Sequence, residues 1–270
     1  MTFRLKGARN SHDTTALCPI AKALTVRSAK EGAMAPAAQL IALVPTRGSV
    51  AAELVIALVN NAEGHRILVR TVNRESVDVA RNRLAAQALA AADDPALFPA
   101  RSDPYVFWID SDAFFLHGTL TLMLHALEAN PSIDVLAGLF GPRAANRGAT
   151  AFRDVSDKNS YLAEDVNFTR GDIVDVELVG LHFILHRISL LRRLGPAPFG
   201  APSDTVSDNA AFCGRIRGAG GRIAVATGIP IFHVDERNGA AYSPGLGACV
   251  IDGNTIDTSR LAEELAVDDG

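Results

Sequence analysis

An α/β fold built on a parallel sheet is what this sequence predicts, on three observations. Residues 40–44, 67–72 and 105–109 read as strands, and the uninterrupted aromatic and β-branched run at 105–109 as one buried on both faces. Stretches of helical period lie between the runs, which is the order of βαβ units with right-handed crossovers. The third run, Tyr105 to Ile109, passes straight into Asp110-Ser111-Asp112. That sets two carboxylates at the carboxyl end of a strand, where open α/β sheets bind their ligands.

The chain of 270 residues suffices for one large α/β domain. Residues 39–235 are read as that domain, 1–38 as a flexible N-terminal tail, and 236–270 as a C-terminal tail placed to pack over the active site. The first tail is basic and lacks a secretory apolar core; Met34, just ahead of the first strand, is an alternative start. A formal net charge of −4 gives no electrostatic footprint for nucleic acid. Cys18, Cys213 and Cys249 are too few and too scattered for a disulfide framework or a zinc site. No apolar run is long enough to span a bilayer. A soluble cytoplasmic protein is expected.

The first strand, 40–44, ends in the turn Pro45-Thr46-Arg47-Gly48. Ser49 reads as an N-cap for a helix with Val50, Leu54 and Leu58 on one face, ended by Gly64. After the strand at 67–72, residues 75–92 are expected to form a helix burying Val77, Ala80, Leu84 and Ala88. Arg81 and Asn82 stand off that stripe, as a solvated polar face or as ligands of a phosphate or base. Residues 93–104 form a loop before the central strand. A helix at 118–130 turns Leu120, Leu124 and Leu127 inward and stops at Pro131. A strand at 133–140 and a long polar loop at 141–172 follow. Residues 173–179 alternate and read as one strand. Residues 189–194 and 207–219 read as helices, with Ser207 an N-cap and Asp208 in the first turn, where a carboxylate favours the helix dipole. Residues 222–226 form a strand, and 229–233 a short apolar segment ending on His233.

An Asp-x-Asp triplet is more often a turn or a helix cap than a metal site. The strand in front of this one argues for metal. In an extended chain Asp110 and Asp112 point the same way, and two close carboxylates need a cation or a proton between them. A divalent ion holding a diphosphate ligand satisfies that need.

Taken in order, these segments resemble the GT-A glycosyltransferases, in the large family-2-like group that uses nucleotide-diphosphate sugars. The resemblance covers residues 39–235. It is carried by the strand and Pro45-Thr46-Arg47 turn, by Ala80-Arg81-Asn82-Arg83-Leu84, and by Trp108-Ile109-Asp110-Ser111-Asp112. It continues through 174–187, which matches a strand and acceptor-side loop. It ends with the helix at 207–220, written E-D-x-x-F in the family, and with His233. Two positions depart: Ser207 replaces the usual acid, and His182 stands where glycine is usual, which would narrow or re-aim the acceptor pocket.

The resemblance implies a GT-A sheet, mostly parallel and flanked by helices, with a Rossmann-like nucleotide-binding half and an acceptor-binding half. It implies Mn²⁺ or Mg²⁺ on Asp110, Asp112 and His233. Pro45, Thr46, Arg47, Arg81, Asn82 and Ser111 would meet the nucleotide-sugar donor, with Arg81 neutralising phosphate charge. Gly180, Leu181 and His182 would meet a hydroxyl acceptor. Asp208 would be the general base of an inverting transfer, or would orient the substrates of a retaining one. Two other readings stand beside it. A nucleotidyltransferase usually carries a longer glycine-rich signature after its first strand. A non-catalytic sugar-nucleotide binder would not need the intact carboxylates.

Overall fold

The computed structural model describes residues 38–46, 48–62, 65–73, 75–140, 151–153, 172–200, 207–235, 240–243, 247–252 and 255–257, and at 240 and from 247 onward the backbone alone. The first half alternates as expected: β1 (Gln39–Thr46), α1 (Ala52–Asn61), β2 (Arg66–Asn73), α2 (Val77–Ala92) and β3 (Tyr105–Ile109). Then come β4 (Ala113–Phe114), α3 (Thr119–Ala129), β5 (Val135–Leu139), β6 (Ala151–Phe152), β7 (Ile173–Val176), β8 (Leu178–Val179), β9 (Phe183–Arg187) and α4 (Ile188–Leu194). The chain continues through α5 (Asp208–Gly218), β10 (Ile223–Pro230), β11 (Phe232–Asp235), β12 (Ala240–Ser243), β13 (Gly247–Asp252) and β14 (Thr255–Asp257).

Seven strands make the main sheet, in the order β2-β1-β3-β9-β5-β10-β7. β2, β1 and β3 run parallel, as do β5 and β10; β9 and β7 run against their neighbours. Five strands therefore share one direction, and the carboxyl ends of β1, β3, β5 and β10 open on one edge. α1 and α3 cover one face, where Leu54, Leu120 and Leu124 meet Ala42, Phe107 and Leu136. α2, α4 and α5 cover the other, where Leu84, Leu191 and Phe212 meet Ile41, Trp108 and Ala137. Alternate residues of β3 thus belong to different core layers. This is why its sequence is apolar without interruption.

The antiparallel β9 differs from the reading of 180–187 as a loop. Phe183, Ile184, Leu185 and His186 are all buried between β3 and β5. His186 brings a polar group to the centre of this core. Its Nδ1–H donates to the Arg187 carbonyl at 2.8 Å, and its Nε2 accepts from the Trp108 indole at 3.0 Å. Burial pushes its pKa down to about 4, so the ring is neutral at pH 7 with both nitrogens satisfied.

Other boundaries also move. Ser49 is not the cap of α1; Ala51 holds that place and no side chain caps it. Gly64 lies outside the described residues. Val77 is exposed, and Asp78, Arg81 and Ala85 join the buried side of α2 instead. The predicted strand at 173–179 breaks at Glu177: β7 edges the main sheet, and β8 pairs with β6. Residues 222–233 make β10 and β11, with a register shift between Ala226 and Pro230. The expected C-terminal tail supplies three strands. With β11 and β4 they form a second sheet, β14-β13-β12-β11-β4. Gly138 is required where β5 nears this sheet: a Cβ there would lie 2.6 Å from the Ile231 side chain and 2.9 Å from Phe183. Cys213 is buried, and burial pushes its thiol up to about 11, an inert core thiol; Cys18 lies outside the described residues. No described helix is long and apolar enough to cross a membrane.

Candidate active site

The site begins where β3 ends. The chain does not stay extended through Asp110-Ser111-Asp112. It turns, with the Ala113 amide donating to the Asp110 carbonyl at 3.1 Å. The extended-chain geometry expected for the two carboxylates is therefore absent, and each carboxylate has its own partners.

Asp110 faces inward. Because β9 is antiparallel, His182 at its start lies beside the end of β3, and the Asp110 amide donates to the His182 carbonyl at 3.0 Å. The His182 ring meets Asp110 again through Nδ1 and Oδ2. The other carboxylate oxygen accepts from Arg81 at 3.2 Å. Burial by itself pushes the Asp110 carboxyl up. The charge and hydrogen bond of His182, followed by Arg81 and His233, outweigh burial and hold it well below the usual carboxylate range.

Arg81 is not a solvated residue; its side chain is 3% exposed. Ser207 caps α5 by accepting from the Ala210 amide at 3.2 Å, so Asp208 falls in the first turn. There its carboxylate meets the Arg81 guanidinium, and Asn209 Oδ1 accepts from the same nitrogen at 3.1 Å. Arg81 Nε is buried with no partner among the described residues. A guanidinium held this way braces α2, α5 and the end of β3. Its two terminal nitrogens are directed at Asp110, Asp208 and Asn209.

Asp112 belongs to the second sheet. The Val234 amide donates to its carbonyl at 2.8 Å, and β11 pairs with β4 so that His233 stands opposite Ala113. This ladder brings His233 Nε2 to 3.0 Å from Asp112 Oδ2. Phe140, at the carboxyl end of β5, stacks on His182 at 4.4 Å and lies 4.9 Å from the His233 ring.

The remaining predicted residues divide. Ser111 joins the turn after β1, since its carbonyl accepts from the Ala51 amide at 2.8 Å. Pro45 and Thr46 end β1 on this edge, and the Thr46 hydroxyl holds its own turn by donating to the Ser49 carbonyl. Arg47 lies outside the described residues. The Asn82 side chain holds the turn ahead of α5: its amide donates to the Gly200 carbonyl at 2.9 Å and accepts from the Phe199 amide at 3.1 Å. Leu181 is 1% exposed and packs in the core beneath α5, and Gly180 is buried, so of the acceptor trio His182 alone presents a side chain to the site. Phe140 and Asn209 were not foreseen. The signal for Phe140 was its place at the end of an apolar strand on the same sheet edge.

No family model matches this chain, and no curated protein matches it by sequence. The fold does match solved structures. A197 from STIV superposes with a TM-score of 0.58 over 79% of this chain and 94% of that one, at 16% identity. S. aureus TarS 1-349 gives 0.39 over 70% and 58%, at 14% identity. A glycosyltransferase involved in the glycosylation of the major capsid of PBCV-1 gives 0.31 over 57% and 62%, at 12% identity. The first of these shows a shared fold, a mixed α/β arrangement with a seven-stranded sheet between helices.

Proposed function

We propose that this protein is a metal-dependent glycosyltransferase of the family-2-like GT-A kind, moving a sugar from a nucleotide-diphosphate donor to a hydroxyl acceptor. The observation that carries the reading is the pairing of Asp112 with His233, beside Asp110, at the carboxyl end of β3. Among the described residues no group of three or more His, Cys, Asp or Glu side chains encloses a metal ion. Asp112 and His233 offer one carboxylate and one imidazole, two donors towards an octahedral shell. That donor set fits Mn²⁺ or Mg²⁺ in a nucleotide site, where phosphate oxygens and water supply the rest. In this reading Asp110 stands beside the metal's ligands, with Arg81 and His182 on its two oxygens. The metal would supply Lewis-acid stabilisation of the leaving diphosphate.

The chain's own residues do the positioning. Pro45, Thr46 and Ser111 form the rim on which the donor's nucleotide rests. Arg81 fixes α5 against the end of β3. His182 and Phe140 line the side from which an acceptor approaches. Ligand binding to the native state raises its thermal stability. A panel of UDP- and GDP-sugars, each with Mn²⁺ or with chelator, tests the reading. One nucleotide series should shift the melting temperature only with metal, and Asp112→Ala should remove that shift while the apo melting temperature holds. A donor shift of equal size in Asp112→Ala would sink the metal assignment. A shift with no sugar turnover would favour a non-catalytic binder.

A further inference from the structure

Transfer to a hydroxyl needs a group that takes the hydroxyl proton, and the sequence suggests Asp208 for that task. The structure places Asp208 elsewhere. Its carboxylate is 12% exposed and paired with the buried Arg81 guanidinium. Protonating it would break that ion pair and leave the buried guanidinium to share Asp110 with His182.

His182 is better placed. Its Nδ1 faces the Asp110 carboxylate, an acceptor-only group, so in the neutral ring Nδ1 carries the proton and Nε2 the lone pair. Asp110 is itself anchored by Arg81 through its other oxygen. Phe140 stacks on the ring at 4.4 Å with the planes 23° apart, which fixes its tilt. The side chain is 24% exposed, and its Nε2 has no partner among the described residues. A carboxylate that sets the tautomer, an imidazole held in plane and a free outward nitrogen together form the arrangement by which histidine bases work.

We propose that His182 is the proton acceptor of the reaction, with Asp110 as its orienting carboxylate and Asp208 as a brace for Arg81. This rests on the glycosyl-transfer reading above. The acceptor oxygen gives its proton to His182 Nε2 as it bonds to the anomeric carbon. The bond from that carbon to the diphosphate oxygen breaks, and its electron pair leaves with the nucleoside diphosphate. A single displacement of this kind inverts the anomeric configuration. The imidazolium that forms lies against Asp110.

The test uses the full chain, the nucleotide sugar that shifts the wild type in the panel above, and water as the acceptor, reading release of nucleoside diphosphate. His182→Ala should keep the metal-dependent thermal shift and lose roughly 10²- to 10³-fold in release rate. Added imidazole should restore part of that rate, which no purely structural role explains. Release within threefold of wild type in His182→Ala overturns the assignment. So does a lost rate that imidazole does not return. A wild type that neither shifts with any donor nor releases nucleotide refutes glycosyl transfer itself, and this inference with it.

Discussion

His186 lies inside β9 and His182 just ahead of it, and both face the same neighbouring strand end to end, yet the chain uses them in opposite ways. His186 meets an indole N–H and a carbonyl, and its core environment keeps it neutral. His182 meets a carboxylate that an arginine also holds. One pair is complete, with each polar atom satisfied and no net charge. The other is built from charges and leaves a nitrogen over. The difference shows how a single strand pairing can carry a fully satisfied histidine in its middle and a half-satisfied one at its end. In the middle, packing excludes every further partner; at the end, the sheet edge opens.

The sharpest way to break this contrast is at Arg81. Arg81→Met should cost about 3–5 kcal/mol in urea unfolding, because Asp110 and Asp208 lose the cation they share. A loss below about 1 kcal/mol, the range of an exposed pair, would show that the end network is as solvated as an ordinary surface. The middle of the strand is tested by acid. A neutral His186 with a pKa near 4, against about 6.5 when unfolded, stabilises the fold fully above pH 6.5. That contribution, about 3 kcal/mol, is lost as pH falls from 6.5 towards 4. His186→Gln, whose amide oxygen can accept from Trp108, should flatten the pH dependence of the urea midpoint in that window. An unchanged slope would place the acid sensitivity elsewhere. His65, whose pKa burial also lowers, contributes in the same direction and is unchanged in the variant.

Two smaller effects sharpen the end network. Asn82→Ala should cost about 1–2 kcal/mol by freeing the backbone at Phe199 and Gly200. If Asn82 instead serves the donor, the variant will keep its stability and lose the nucleotide-dependent thermal shift. Ser207→Ala should cost about 1 kcal/mol through the lost cap of α5. It should leave the donor shift in place, since Asp208 remains held by Arg81.

Local pattern made much of this legible. The βαβ start, the two-sided burial of β3 and the Ser207 cap all follow from periods and capping chemistry within a few residues. Asp110, Asp112, Asp208 and His233 could be picked out because each follows or closes an apolar run or opens a helix. Pairing was not legible. Nothing in 183–187 distinguishes a central antiparallel strand from an apolar loop. Only that strand's direction brings His182 to Asp110. Arg81 and Asn82 read as a solvated face or as donor ligands, because helical period cannot reveal that α5 and the 199–200 turn lie over them. The strands after residue 240 are short, and the one brief apolar run there, 248–251, lies among glycines and acids that gave no sign of a second sheet.

The pairing of Asp112 with His233 has a bearing on how the protein is made. The two residues are 121 positions apart. A ribosome delivers the first strands and helices, and with them Asp110, Arg81 and Asp112, long before it delivers His233. The nascent chain can pair Arg81 with Asp110 early, while the Asp208 arm of the brace waits for α5. It cannot complete the pair that would hold a cation until β11 emerges and joins β4. Metal-dependent donor binding would then be the last property a growing chain acquires, and the first that a truncation ahead of β11 removes.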